Sequence, residues 1–184
     1  MIDSVQDEIA ILRDISNRFE SAGIAFMLTG SMAMNYYSQP RMTRDIDLVV
    51  ALLPQDAGSL VGLLTPDYYI SQEAVAAAIS AHSMFNVIHH ETVVKVDCIV
   101  RKPSEYRRVE FARRRRIQIE DFATWIVRKE DLVVSKLAWA KDSHSEFQLR
   151  DVKNLLAGEC DMAYLENWTR ELGLANLLEE CRHE

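Results

Sequence analysis

Asp45-Ile46-Asp47-Leu48-Val49-Val50-Ala51 alternates strictly: Ile46, Leu48 and Val50 fall on one side, Asp45 and Asp47 on the other. A period of two is the pattern of a strand with one face buried. Residues two apart project from the same side, so both carboxylates leave one face while Ile46 enters the core. Two carboxylates that close repel each other and stay ionised together only beside a cation. Magnesium suits them, being a hard ion that takes oxygen ligands and completes its shell with water and phosphate. An Asp-x-Asp on a solvated strand face also arises by chance, so the pair needs companions.

Upstream, Ala25-Phe26-Met27-Leu28 is an apolar run long enough for a buried strand, and it stops at Thr29-Gly30-Ser31. Met32 to Tyr37 reads as a helix, broken at Gln39-Pro40 because the residue before proline disfavours helical geometry. Gly30-Ser31 therefore falls at a strand-to-helix junction. Glycine admits a phosphate to the backbone, the helix start offers free amides, and Ser31 adds a hydroxyl. A tight turn with a serine cap is the plainer alternative. Downstream, Val94-Lys95-Val96-Asp97-Cys98-Ile99-Val100 carries an aspartate inside an apolar strand. Burying that charge is costly unless a cation or a hydroxyl compensates it; the alternative is an edge-strand aspartate facing water.

Outward from these segments, Val5, Ile9, Leu12, Ile15 and Phe19 form a helical stripe, with Asp3 or Ser4 to cap it and Gly23 to end it. Helices are expected from Pro54 to Leu64 and from Gln72 to Ile79, and strands at Met84 to His89, Val93 to Val100 and Arg115 to Ile119. Beyond Lys129 the stripes are all helical: Leu132, Val133, Leu137 and Ala140; then Leu149, Val152, Leu155 and Leu156; then Met162, Leu165, Trp168 and Leu172 behind Asp161. The expected class is α+β, a short mixed sheet flanked by helices, with residues 1–120 as the core and 121–184 as a helical part packed on it.

The 184 residues, 48% hydrophobic and 27% charged, match an ordinary globular protein rather than a disordered one. No window reaches the ~18 apolar residues of a membrane helix, and the first residues lack a secretory pattern. Cys98, Cys160 and Cys181 have no zinc or disulfide spacing, so a reducing, cytoplasmic setting is expected. A net charge of −7 argues against a general nucleic-acid coat.

Together, Leu28-Thr29-Gly30-Ser31-Met32-Ala33, Thr43-Arg44-Asp45-Ile46-Asp47-Leu48-Val49 and Lys95-Val96-Asp97-Cys98 resemble the nucleotidyltransferase superfamily that includes DNA polymerase beta. Within it the chain looks most like small bacterial proteins related to AbiEii-type abortive-infection toxins. That likeness extends to Asp131-Leu132-Val133-Val134-Ser135-Lys136-Leu137-Ala138 and Arg150-Asp151-Val152-Lys153-Asn154-Leu155-Leu156, so it spans about residues 24–157. Asn154 departs from an acidic residue found in some toxin relatives. The resemblance implies a transferase moving a nucleoside monophosphate from a triphosphate to a hydroxyl of RNA, protein or a small molecule. It implies Asp45, Asp47 and Asp97 as catalytic ligands of two magnesium ions, for which manganese can substitute. Gly30, Ser31 and Lys136 would bind the triphosphate. A toxin would have an antitoxin partner; an antibiotic-modifying adenylyltransferase and an inactive binding protein on the same fold are the alternatives.

Other features have two readings each. Asp131, Lys136 and Asp151 could equally form ion pairs between helices. Arg113 to Arg116 could grip RNA phosphates, or pair along a strand with Glu110, Glu120 and Asp121, the reading favoured by net charge. His82, His89 and His90 lack companions at zinc spacing and read as polar packing. Trp125, Trp139 and Trp168 read as core, with base stacking open to one of them, and Met27, Met32, Met34 and Met42 as core filling.

Overall fold

A computed structural model describes residues 3–40, 43 and 45–182, with residues 3–5 described by backbone alone. The proposed Asp3 or Ser4 cap, Met42 and Arg44 lie outside the described residues or side chains. Among those described, seven strands form one mixed sheet in the order β3-β4-β5-β2-β1-β7-β6. At its centre lie β1 (Ala25–Thr29), β2 (Asp45–Ala51) and β5 (Lys95–Val100). β2 runs antiparallel to β1 and parallel to β5. The alternation in β2 drives this placement: Ile46, Leu48 and Val50 are fully buried, beside Val96, Cys98 and Val100 of β5. β1 buries Phe26, Met27 and Leu28, so both of its faces are covered.

Helix α1 (Asp3–Ser21) packs on β1, β2 and β7 through Leu12, Ile15 and Phe19. It ends as expected at Gly23, whose φ of +69° lets Ile24 N–H reach Phe19 C=O. Helix α2 (Gly30–Tyr37) follows β1 directly and packs on β2, α6 and α7. The expected 54–64 helix is a 3₁₀ turn, Pro54–Asp56, leading into α3 (Ala57–Leu64), because proline fixes only the first turn. Helix α4 (Gln72–Ala81) is capped by Ser71, whose Oγ accepts Ala74 N–H.

Between the short edge strand β3 (Tyr68–Tyr69) and β5 lies β4 (Met84–His89). Val93 and Val94, expected in the strand, are instead outside it; Val93 has φ +58° and belongs to the turn. After α5 (Glu105–Ala112), β6 (Arg115–Ile119) hairpins into β7 (Phe122–Ile126). That last strand falls within the stretch expected to be helical. Its alternation is broken in sequence by Thr124, which is fully buried yet satisfied by a 2.9 Å hydrogen bond with Ser16 Oγ. No glycine announces the turn either, since Glu120 itself adopts φ +48°. The helical part begins at α6 (Lys129–Ser143) and continues through α7 (Glu146–Leu156), α8 (Met162–Glu171) and α9 (Ala175–Arg182). No helix among the described residues is long and apolar enough to cross a membrane.

Candidate active site

Parallel register between β2 and β5 sets Asp47 directly beside Asp97, and Asp45 beside Lys95. All four side chains therefore leave the same face of the sheet. Asp45 is exposed, Asp47 half-buried and Asp97 buried at 8% exposure. Asp97 is not a solvated edge residue: β4 flanks it, and Asn86 Nδ2 donates to its Oδ1 at 2.8 Å. Its Oδ2 lies 3.0 Å from Lys95 Nζ, which is also 3.6 Å from Asp45 Oδ2. Lys95 thus bridges the first and third carboxylates. Among the described residues, no three acidic, histidine or cysteine side chains are gathered closely enough to hold an ion between them.

Asp47 feels the crowding. Burial first, then the Asp97 and Asp45 charges, push its carboxyl up to about 6, opposed by a hydrogen bond from Ser31 N–H and by Lys95. The donor set fits magnesium in kind: three hard carboxylates on one face, with mutual repulsion that a divalent cation would relieve.

Gly30 joins the phosphate-loop candidate to these carboxylates. Its φ is +64°, and a Cβ there would lie 2.0 Å from Asp47 Oδ2 and 2.6 Å from Asp47 Cγ. Glycine is required twice over, for backbone conformation and for room. The cause is the antiparallel pairing of Thr29 with Asp47, which presses the start of α2 against that side chain. Ser31 N–H then donates to the Asp47 carboxylate, a bond expected of a free amide in the first helical turn. A serine cap is not what forms here: the N-cap position is Thr29, with no side-chain cap bond.

A cavity of about 300 Å³ opens from Gly30 and Asp47, with Val49 and Ile99 along its sheet side and α5 and α6 among its walls. Lys136 lines it, but its Nζ is held 2.7 Å from Asp151 Oδ2 and 3.1 Å from Gln148 Oε1. Lys136 and Asp151 form the interhelical ion pair that was one of their two readings, both nearly inaccessible at 3% and 2% exposure. Asp131 does not join them. It accepts bonds from Tyr106 and Tyr164 hydroxyls and from Arg113 Nε at 3.0 Å.

Two features of the cavity were missed in sequence. Arg107 Nη1 and Ser135 Oγ both donate to Glu110, at 2.8–2.9 Å and 2.6 Å, and burial still pushes the Glu110 carboxyl up. The three-residue spacing of Arg107 and Glu110 on one helix was the available signal. Trp139, expected in the core, is 56% exposed and stands at the cavity wall. Trp125 and Trp168 are partly buried against the core as expected.

The arginine run is internally engaged, with partners other than those expected. Arg113 meets Asp131, Arg114 stacks on Phe111 and Trp125, Arg115 bonds Tyr37 Oη, and Arg116 pairs with Glu20. Glu120 and Asp121 pair with Arg13 instead, and Glu110 with Arg107. His82 and His89 make local polar contacts, with Arg101 C=O and Thr92 Oγ1.

The sheet order, the Gly-Ser junction and the three aspartates on one face together give the nucleotidyltransferase fold, and solved structures agree. No family model matches the chain, and no curated protein matches it either. An antigenic nucleotidyltransferase-like protein from Paracoccidioides brasiliensis superposes with a TM-score of 0.56 at 16% identity, covering 92% of this chain and 91% of that one. Antibiotic-resistance factor ANT(2'')-Ia in solution gives 0.59 at 12% identity, covering 97% and 99%. The same factor in complex with adenylyl-2''-tobramycin gives 0.55 at 10% identity, covering 96% and 97%. At these identities the likeness is one of fold.

Proposed function

We propose that the protein is a magnesium-dependent nucleotidyltransferase that moves a nucleoside monophosphate from a triphosphate to a hydroxyl acceptor. The observation that carries this is the packing of Gly30 on Asp47 with Asp97 alongside, which puts the start of α2 directly against the carboxylates at the mouth of the cavity. Asp45, Asp47 and Asp97 would hold two magnesium ions, or manganese in their place, once the three side chains draw closer together than they stand here. Bound there, the metal supplies positive charge to the entering and leaving oxygens. Gly30 and Ser31 receive the β- and γ-phosphates at the start of α2. Asp97, fixed through Oδ1 by Asn86, takes the proton of the attacking hydroxyl. The acceptor oxygen then bonds to the α-phosphorus, the bond to the β-phosphate oxygen breaks, and pyrophosphate leaves.

Lys136 enters this scheme as a cavity-lining cation anchored by Asp151 and Gln148, within a wall that faces the triphosphate. Trp139 offers the cavity an aromatic face for the base. Residues 1–120 carry every proposed ligand except Lys136 and Trp139, and residues 121–184 supply that wall together with α5. The triphosphate and three free cysteines fit a cytoplasmic site of action.

The experiment is calorimetric titration with ATP and magnesium, for wild type and the Asp45→Asn, Asp47→Asn double variant. Wild-type binding that needs metal and is lost in the variant supports the proposal; equal affinity in both overturns it. Incubation with α-labelled triphosphates and cell lysate then identifies the acceptor. Label on RNA indicates the AbiEii-like toxin reading, with its antitoxin partner. Label on a small molecule indicates an acceptor of the kind represented by the adenylyl-2''-tobramycin in complex with ANT(2'')-Ia. Binding without label under any metal indicates an inactive binding protein.

A further inference from the structure

Lys95 is not among the residues given a role above, yet it occupies the middle of the proposed site. It stands one strand across from Asp45 and two residues before Asp97 on the same face. Its Nζ lies 3.0 Å from Asp97 Oδ2 and 3.6 Å from Asp45 Oδ2. Asn86 claims the other Asp97 oxygen at 2.8 Å, so Oδ2 is the one turned toward a cation. A magnesium or manganese ion bound by Asp45 and Asp97 would need those oxygens at about 2.0–2.2 Å. An ammonium between the two carboxylates takes up that space, so both cations cannot hold it together. Lys95 is about one-third exposed, on a flexible four-carbon stem, and has a way out to solvent.

We propose that Lys95 is a displaceable counter-ion of the carboxylate site, holding Asp45 and Asp97 when metal is absent and expelled when a divalent ion enters. The inference rests on the transferase reading, because it takes these carboxylates as the metal site. It has a functional consequence. A metal ion arriving alone must evict a cation that gains nothing in exchange, whereas one arriving with a triphosphate brings phosphate oxygens to which the released ammonium can turn. Lys95 thereby ties metal occupancy to nucleotide occupancy and disfavours filling by free metal.

The test is manganese titration, followed by the electron paramagnetic resonance of free Mn²⁺, on wild type, Lys95→Met and Lys95→Arg, each with and without ATP. Lys95→Met is expected to bind Mn²⁺ about tenfold more tightly without ATP, with a smaller further gain when ATP is added; Lys95→Arg is expected to stay near wild type. In chelator the Lys95→Met protein is expected to melt lower than wild type, and Mn²⁺ to raise its melting temperature by more degrees. Lys95→Gln is read in the same way should the methionine variant fail to fold. Folded neutral variants that bind Mn²⁺ no better than wild type overturn the Lys95 proposal while leaving the metal site standing. Absence of Mn²⁺ binding by every protein, with ATP or without, overturns the carboxylate site and this inference with it.

Discussion

Replacing Gly30 by alanine tests the junction between the proposed phosphate loop and the carboxylates, and its effect can be worked from two separate costs. The first is conformational: φ at residue 30 is +64°, where an L-residue with a Cβ loses roughly 1–2 kcal/mol. The second is steric. The new Cβ would lie 2.0 Å from Asp47 Oδ2, so the carboxylate must retreat by roughly 1.5 Å to reach ordinary contact. That retreat pulls Asp47 from Ser31 N–H and from its place beside Asp97. Displacing a positioned group by ~1 Å can cost about a hundredfold in rate. The expected outcome therefore has two parts: unfolding free energy falls by at least about 1–2 kcal/mol, the conformational cost alone, and magnesium-dependent ATP binding weakens by at least about tenfold. Urea unfolding measures the first and calorimetry the second. Gly58→Ala is the control, because a Cβ at that helical position meets nothing within 4 Å; it is expected to be neutral or to stabilise by about 0.5–1 kcal/mol. If Gly30→Ala keeps wild-type nucleotide affinity while staying folded, the close approach of residue 30 to Asp47 has no part in binding.

Further outcomes follow from other groups. Asp47 has its folded-state pKa raised from 3.8 to about 6, so its ionisation opposes folding: the penalty is absent below about pH 4 and complete above about pH 6. In chelator, Asp47→Asn is expected to match wild type near pH 4 and to exceed it by up to about 3 kcal/mol at pH 7.5; urea midpoints that show no growing gap across this range would count against the crowding. Lys136→Met strands the buried Asp151 charge and should cost about 3–5 kcal/mol, much of it recovered in a Lys136→Met, Asp151→Leu double variant; an additive loss in the double-mutant cycle would show that the pair does not interact. Trp139→Ala is expected to change stability by less than about 0.5 kcal/mol because the ring is exposed, yet to weaken nucleotide binding; unchanged affinity would remove Trp139 from the cavity's function.

Most of what places the carboxylate face was legible in sequence, because strand alternation is a strictly local property. Ile46, Leu48 and Val50 against Asp45 and Asp47 gave β2, and the apolar run around Asp97 gave β5. What sequence could not supply was register. The pairing of Asp47 with Asp97, and of Asp45 with Lys95, depends on how two strands nearly fifty residues apart align. For the same reason Lys95 was given no role of its own, and Asn86 drew no notice although it fixes Asp97. β7 escaped because its buried threonine is satisfied by Ser16, a partner 108 residues away. Trp139 was misplaced because an aromatic residue on an apolar helix is most often buried, and only the packing of α6 on its neighbours turns it outward.

The electrostatics of the face suggest why so much charge is tolerated there. β-pairing holds Asp47 and Asp97 side by side whatever their ionisation, since the ladder between β2 and β5 is fixed by backbone bonds and by Ile46, Leu48, Val96 and Cys98 beneath. Side-chain repulsion therefore cannot relax by separating the strands. It can be met only locally: by Ser31 N–H on Asp47, by Asn86 on Asp97, and by Lys95 between Asp97 and Asp45. Only the last of these brings a full positive charge, and one ammonium faces three carboxylates. The surplus negative charge is held in place by a core that does not share its interests, which is the condition for a site that binds a doubly charged cation and its anionic companion.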